Sequence, residues 1–132
     1  MTREELERVV AEQYSVSADY PFENDRVTAV FRHTKSRRWF AIAMEVPLCK
    51  FFGSSHKKET VLNCKVDPMM LGSLLQNPGV FPAYHMNKKH WISILPQRAE
   101  TDLIKTVLRI SFELTAEKEC RGSAPDQKGK KQ

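Results

Sequence analysis

Trp39-Phe40-Ala41-Ile42-Ala43-Met44-Glu45-Val46 is the stretch on which the architecture turns. Read with a period of two, it is apolar on both sides: Phe40, Ile42, Met44 and Val46 on one, Trp39, Ala41 and Ala43 on the other. A strand with a solvated side alternates apolar with polar, so this pattern predicts a central strand. The segments flanking it read as its partners. Upstream, Val27 to His33 alternates, with Val27, Ala29 and Phe31 on one face, and Lys35-Ser36-Arg37-Arg38 makes a short basic hairpin tip between the two. Downstream, Thr60 to Val66 predicts a third strand that places Leu62 and Cys64 together and Asn63 and Lys65 opposite. The stretch from Pro47 to Glu59 is expected to be a longer basic loop carrying Phe51-Phe52-Gly53.

Helices bracket these strands. Thr2-Arg3-Glu4-Glu5 fits a capping box, in which Thr2 and Glu5 satisfy each other's free backbone donors. Leu6, Val9, Val10, Gln13 and Tyr14 follow at helical spacing, which predicts a helix over residues 3–14. Asp19 to Asp25 is a turn-rich connector. Asp67-Pro68 is a helix start, a capping carboxylate followed by a proline whose missing N–H costs nothing there. A short helix from Met69 to Gln76 is stopped by Asn77-Pro78-Gly79, and Val80 to Tyr84 reads as a connector. Lys89 to Leu95 is the last expected strand, with Ile92 and Ile94 on the face of His90. Asp102 to Lys118 is a closing helix with Leu103, Val107, Ile110 and Leu114 along one stripe. Two terminal helices on one face of a mostly antiparallel sheet of about four strands give an α+β, two-layer sandwich. Residues 1–118 form the expected domain. From Cys120 the chain is rich in Gly, Pro and Lys without apolar periodicity, so residues 119–132 are expected to be a disordered basic tail.

Composition narrows the class. A chain of 132 residues, 41% apolar and 28% charged, matches one globular domain. The polar start predicts no secretory signal, and no apolar run approaches the ~20 residues of a membrane span. Cys49, Cys64 and Cys120, odd in number and widely spaced, predict reduced thiols in a cytoplasmic protein. The net charge of +5 is unevenly spread: residues 32–90 hold ten basic and three acidic groups, whereas residues 1–31 hold three and seven. Such a block can form one basic face for phosphates or an acidic partner, or else a solvated lysine-rich surface.

The signatures of catalysis are absent. The five glycines are scattered, so there is no phosphate loop, and no Gly-x-Ser-x-Gly elbow presents a nucleophile. His33, His56, His85, His90, Cys49 and Cys64 could in principle ligate a metal, but none forms a Cys-x-x-Cys or His-Glu-x-x-His cluster. No metal or cofactor is expected. Tyr84-His85-Met86-Asn87-Lys88-Lys89-His90-Trp91 stands out instead, gathering cationic, amide and aromatic side chains ahead of a strand. Lys and Arg pair with phosphates, Asn can meet an adenine edge, and His and Trp can stack on bases. The structural alternative is that Tyr84 and Trp91 anchor the core and Asn87-Lys88 is only a turn. The tip from Arg32 to Arg38 offers a second basic projection.

Several of these stretches resemble the YjbR/MmcQ family. Pro82-Ala83-Tyr84-His85-Met86-Asn87-Lys88-Lys89-His90-Trp91-Ile92-Ser93-Ile94 is similar to its most characteristic segment. Val30-Phe31-Arg32-His33 with Arg38-Trp39-Phe40-Ala41-Ile42 resembles its paired strands. Val61 to Pro68, Tyr20-Pro21-Phe22 and Leu108 to Leu114 match further segments in the same order. The resemblance implies a CyaY-like two-layer sandwich and a double-wing, DNA-binding role. It does not bring the iron chemistry of proteins that share that fold, because Glu4, Glu5, Glu7 and Glu12 are balanced by Arg3 and Arg8.

The leading expectation is a non-catalytic module that binds double-stranded DNA weakly and with little sequence preference. Arg32, His33, Lys35, Arg37 and Arg38 form one wing, Asn87, Lys88, Lys89, His90 and Trp91 the other, and a monomer is favoured. The runner-up is a protein-interaction module whose basic face meets an acidic partner, with Phe51-Phe52 as an apolar anchor. A third reading is a small-ligand site or an enzyme using His33, His85 and His90.

Overall fold

The capping box forms as expected. In a computed structural model that describes residues 1–116, the Thr2 hydroxyl accepts from the Glu5 amide and Glu5 Oε1 accepts from the Thr2 amide at 2.7 Å, opening helix α1 (Arg3–Tyr14). Leu6 and Val10 form its buried face. The strands are β1 (Ala29–Arg32), β2 (Trp39–Pro47), β3 (Lys58–Lys65), β4 (Val80–Pro82) and β5 (Trp91–Ile94). They make one antiparallel sheet of order β1-β2-β3-β5-β4. A 3-10 turn, Pro68–Met70, capped by Asp67 at the Met69 amide, leads into α2 (Leu71–Leu74). Helix α3 (Thr101–Thr115) closes the domain against β2 and β3. The expected tail and residues 117 and 118 lie outside the described residues.

The α+β two-layer architecture therefore stands, with five strands in place of about four. The added strand is β4, read from sequence as a connector. Gly79 sets its entry: φ is +81°, and a Cβ there would meet the Ala99 amide at 2.8 Å. Only glycine fits, and its carbonyl accepts from the Leu95 amide. The first strand is shorter than expected, and Val27 is 49% exposed, outside it. His90 lies in the turn before β5, exposed, and does not share the face of Ile92 and Ile94.

Cross-strand partners share a face, so the register assigns the two sides of the sheet. Ala29, Ala43, Leu62, Ile94 and Val80 form one row, facing the helices. Val30, Ile42, Asn63, Ser93 and Phe81 form the neighbouring row on the helix-free side. Farther along that side, Val46, Leu48, Val61 and Leu95 make a second apolar cluster under Phe51, Phe81 and Tyr84.

One irregularity breaks the alternation read in β2. The register shifts where Phe31 pairs with Ala41 and Arg32 with Trp39, leaving Phe40 as the extra residue of a bulge. Phe40 thereby joins Ala41 and Ala43 on the helix side, against the expectation that grouped it with Ile42 and Met44. There its ring meets Tyr14 at 5.6 Å and Phe112 at 4.9 Å. The β2–β3 ladder stops at Ala41–Cys64. Its next rung is supplied by Ser111 of α3, whose hydroxyl accepts from the Lys65 amide at 2.8 Å and donates to the Phe40 carbonyl. This small residue sets the buried face of α3, which is Ile104, Val107, Leu108, Ser111 and Thr115. Of the expected stripe, Val107 is buried and Leu103 packs partly buried against the core, whereas Ile110 is only half-buried and Leu114 is 43% exposed.

Candidate nucleic-acid interface

The β1–β2 hairpin tip and the segment leading into β5 rise from the same end of the sheet. Arg32 pairs with Trp39 at the mouth of the hairpin, Ala41 with Cys64, Cys64 with Ile92, and Lys65 with Trp91. Only β3 separates β2 from β5, so the bases of the two projections stand two strand spacings apart, roughly 10 Å.

The hairpin tip is built on a tight turn. The His33 amide donates to the Arg38 carbonyl at 2.9 Å, and the Arg37 amide donates to the His33 carbonyl at 3.0 Å. Arg37 takes φ of +66°, a left-handed conformation that disfavours a side-chain-bearing residue. Lys35, Arg37 and Arg38 are exposed. His33, expected on the surface of this wing, is only 9% exposed. Its ring packs at 4.2 Å on Phe112 and 5.3 Å on Phe40, and Nε2 meets the Thr115 hydroxyl at 2.9 Å. Burial holds this imidazole below its ordinary pKa, with the nearby Arg38 charge pushing the same way against the Phe112 backbone. His33 thus pins the hairpin to the end of α3, inside the domain rather than on the surface of the wing. Arg32 is also committed, its guanidinium bridging Asp19 at 2.6 Å.

The second projection hangs from a buried polar network. Asn63 and Ser93 are both fully buried. Asn63 Nδ2 donates to the Tyr84 carbonyl at 2.9 Å, the Ser93 hydroxyl donates to Asn63 Oδ1 at 2.5 Å, and the Tyr84 amide donates to Ser93 Oγ at 2.9 Å. Three polar groups that would be costly to bury alone thereby satisfy one another and fix the chain where it leaves β4. His85 follows with φ of +59° and its ring edge-on to Tyr84. Asn87 then closes a turn: Oδ1 accepts from the Lys89 amide at 2.8 Å, and its carbonyl accepts from the His90 and Trp91 amides. Its side-chain oxygen is committed to that turn, a structural role. Lys88, Lys89 and His90 project into solvent, and Trp91 is half-buried at the head of β5. The Val66 amide donates to the His90 carbonyl, tying the turn to the end of β3.

The ion pairs among the described residues are Arg3–Glu7, Arg3–Glu45, Arg32–Asp19 and Arg98–Glu59. Lys35, Arg37, Arg38, Lys65, Lys88 and Lys89 take part in none of them, so this end of the sheet carries cations that no carboxylate among the described residues pairs with. The Phe51-Phe52 pair is divided: Phe51 packs on Phe81 and Tyr84, whereas Phe52 stacks on Phe81 and lies 41% exposed beneath Arg98. Cys49 Sγ sits 3.7 Å from His56 Nδ1, but no three His, Cys, Asp or Glu side chains among the described residues converge as metal ligands. Cys64 is fully buried, and burial pushes its thiol far above the usual range. Among the described residues no helix is long and apolar enough to cross a membrane.

A five-stranded antiparallel sheet with helices on one side and two loops rising from one end defines an α+β two-layer protein of a single structural class. The YjbR family model matches residues 11–114, and the chain belongs to that family. It is 35% identical over 116 residues to the uncharacterised protein YyaQ of Bacillus subtilis strain 168, covering 87% of this chain and 98% of YyaQ. A crystal structure of a Pseudomonas syringae protein superposes with a TM-score of 0.84 at 36% identity, covering 88% of this chain and all of that one. A Deinococcus radiodurans protein with a DUF419 domain gives a TM-score of 0.61 at 28% identity, over 86% of this chain and 77% of its own.

Proposed function

We propose that this chain is a non-catalytic nucleic-acid-binding module that holds the phosphates of double-stranded DNA between two basic wings. The observation that carries the reading is the gathering of Lys35, Arg37 and Arg38 on one loop and Lys88 and Lys89 on another. Both loops stand at one end of the sheet, and none of these cations is engaged by a carboxylate among the described residues. Exposed cations held at fixed spacing are suited to phosphate oxygens, which position a ligand without reading its sequence. The contacts are backbone contacts, so binding is weak, tolerant of sequence and steeply dependent on salt. The half-exposed aromatic residues and the left-handed Arg37 and His85 fit the same role, because strained backbone collects at functional loops. An acidic protein partner could use the same cations, but with Phe51 packed inward that reading keeps only Phe52 as its anchor.

Fluorescence anisotropy with labelled duplex DNA tests this. Five phosphate contacts predict an affinity loss of about 500-fold between 50 and 200 mM salt. The Arg37→Ala/Arg38→Ala/Lys88→Ala/Lys89→Ala variant is expected to lose binding and most of that slope, while a chain ending at Lys118 retains both. Binding that disappears with the tail, or survives in the four-site variant, overturns the proposal.

A further inference from the structure

The two tryptophans of the chain both stand at the wing end of the sheet. Trp39 opens β2 and Trp91 opens β5, on either side of β3. Trp91 pairs with Lys65, two residues beyond Asn63, and is therefore on the helix-free side. Trp39 pairs with Arg32, two residues beyond Val30, and the Phe40 bulge returns it to that same side. Both indoles are half-buried, yet neither belongs to either apolar cluster of the domain. Trp39 is braced edge-on by Phe22, itself 40% exposed, at 5.9 Å. Lys65, half-buried and outside every ion pair of the described residues, lies on the strand between them. The wings thus share one construction: Arg37-Arg38 runs into Trp39, and Lys88-Lys89-His90 runs into Trp91.

Phosphate contacts need no indoles, and two half-exposed aromatic rings beside the wing cations offer a second kind of contact. In a paired duplex the faces of the bases are already stacked on one another. Unpaired bases expose those faces, and aromatic side chains beside cations are the chemistry that takes them. The spacing points the same way. The strands that carry the indoles are roughly 10 Å apart, against a rise of about 3.4 Å between stacked bases in a duplex. Rings carried on strands at that spacing suit the bases of a strand that is extended and unstacked.

We propose that this end of the sheet takes nucleic acid through unpaired bases. Trp39 and Trp91 stack on two bases of one strand, and Lys65 lies on the phosphates between them. The inference rests on the phosphate-binding part of the reading above and departs from it in the ligand, making single strands and unpaired stretches preferred over continuous duplex.

The test uses the full chain at about 50 mM salt with three labelled probes: a 12-nucleotide oligothymidylate, its duplex with oligoadenylate, and an abasic strand of equal charge. The oligothymidylate is expected to bind about 10-fold more tightly than either of the others and to quench the indole emission. Trp39→Phe and Trp91→Phe, which keep an aromatic ring, isolate one indole each, and the emission remaining in each is expected to fall on binding. Trp39→Leu and Trp91→Leu are expected to weaken the oligothymidylate roughly 10-fold each while leaving the abasic strand unchanged. If duplex and abasic strand bind as tightly as oligothymidylate, with no change in emission, the unpaired-base inference falls and the phosphate reading survives. If none of the three probes binds, both fall.

Discussion

Asn63 is the side chain on which the second wing depends, and its replacement by alanine should show how much. Asn63→Ala removes two hydrogen bonds, to the Tyr84 carbonyl and from the Ser93 hydroxyl. Each contributes about 1 kcal/mol, and the Tyr84 carbonyl left without its donor adds a desolvation cost of comparable size, for a total of about 2–4 kcal/mol. That is a large part of the ~5–15 kcal/mol by which a domain is stable. In urea, with a slope of about 1–3 kcal/mol per molar, the midpoint is expected to fall by roughly 1–2 M at unchanged slope. Hydrogen exchange should locate the loosening, with the Tyr84 and His90 amides losing protection before those of β2. Asn63→Asp sharpens the test by setting a carboxylate oxygen against the Tyr84 carbonyl with no donor between them, and should cost at least as much. A midpoint for Asn63→Ala within about 0.3 M of wild type, against the expected fall of roughly 1–2 M, would show that the network does not hold this loop.

Two further outcomes separate structure from recognition. Arg37→Gly relieves the left-handed backbone while deleting a cation, so stability should change by no more than about 1 kcal/mol in urea while the salt slope of DNA binding falls by about 1. His33 gives the domain a pH dependence: its folded pKa lies below the unfolded value of about 6.5, so the unfolded chain takes up the proton first. The stability of His33 is then complete above that value and declines as pH falls through it toward the folded pKa, and urea midpoints between pH 8 and 5 should follow this course and flatten in His33→Gln.

What could be read in the sequence was whatever local chemistry determines. The capping box, the Asp67-Pro68 start and the unbroken apolar pattern of β2 each depend on residues a few positions apart, and the order of the elements followed. β4 escaped because three residues ending in a proline carry no periodicity, and only pairing with β5 makes them a strand. Phe40 faces the helices against the alternation of its strand, because a bulge is decided by the partner strand. The wings were legible as runs of charge, but the membership of each was not. His33 stands beside Arg32 and near Lys35, and its real partner, Thr115, is 82 positions away. Arg32 finds Asp19 across the edge of the sheet, and Asn87 spends its side-chain oxygen on its own turn. Trp39 and Lys65, 26 positions apart in the chain, come into one surface only through the register of β2, β3 and β5.

The Ser111 rung carries a consequence for the order in which the molecule is made. A hairpin of β1 and β2 can close as soon as it leaves the ribosome, and β3 can join it soon after. The rung between Phe40 and Lys65 cannot close then, because its hydroxyl lies 46 positions beyond Lys65. At ordinary elongation rates that is a wait of roughly 2–9 s. For that interval the nascent sheet is open at the end from which the wings rise, with the Phe40 ring still lacking Phe112. The arrival of the last helix shuts it.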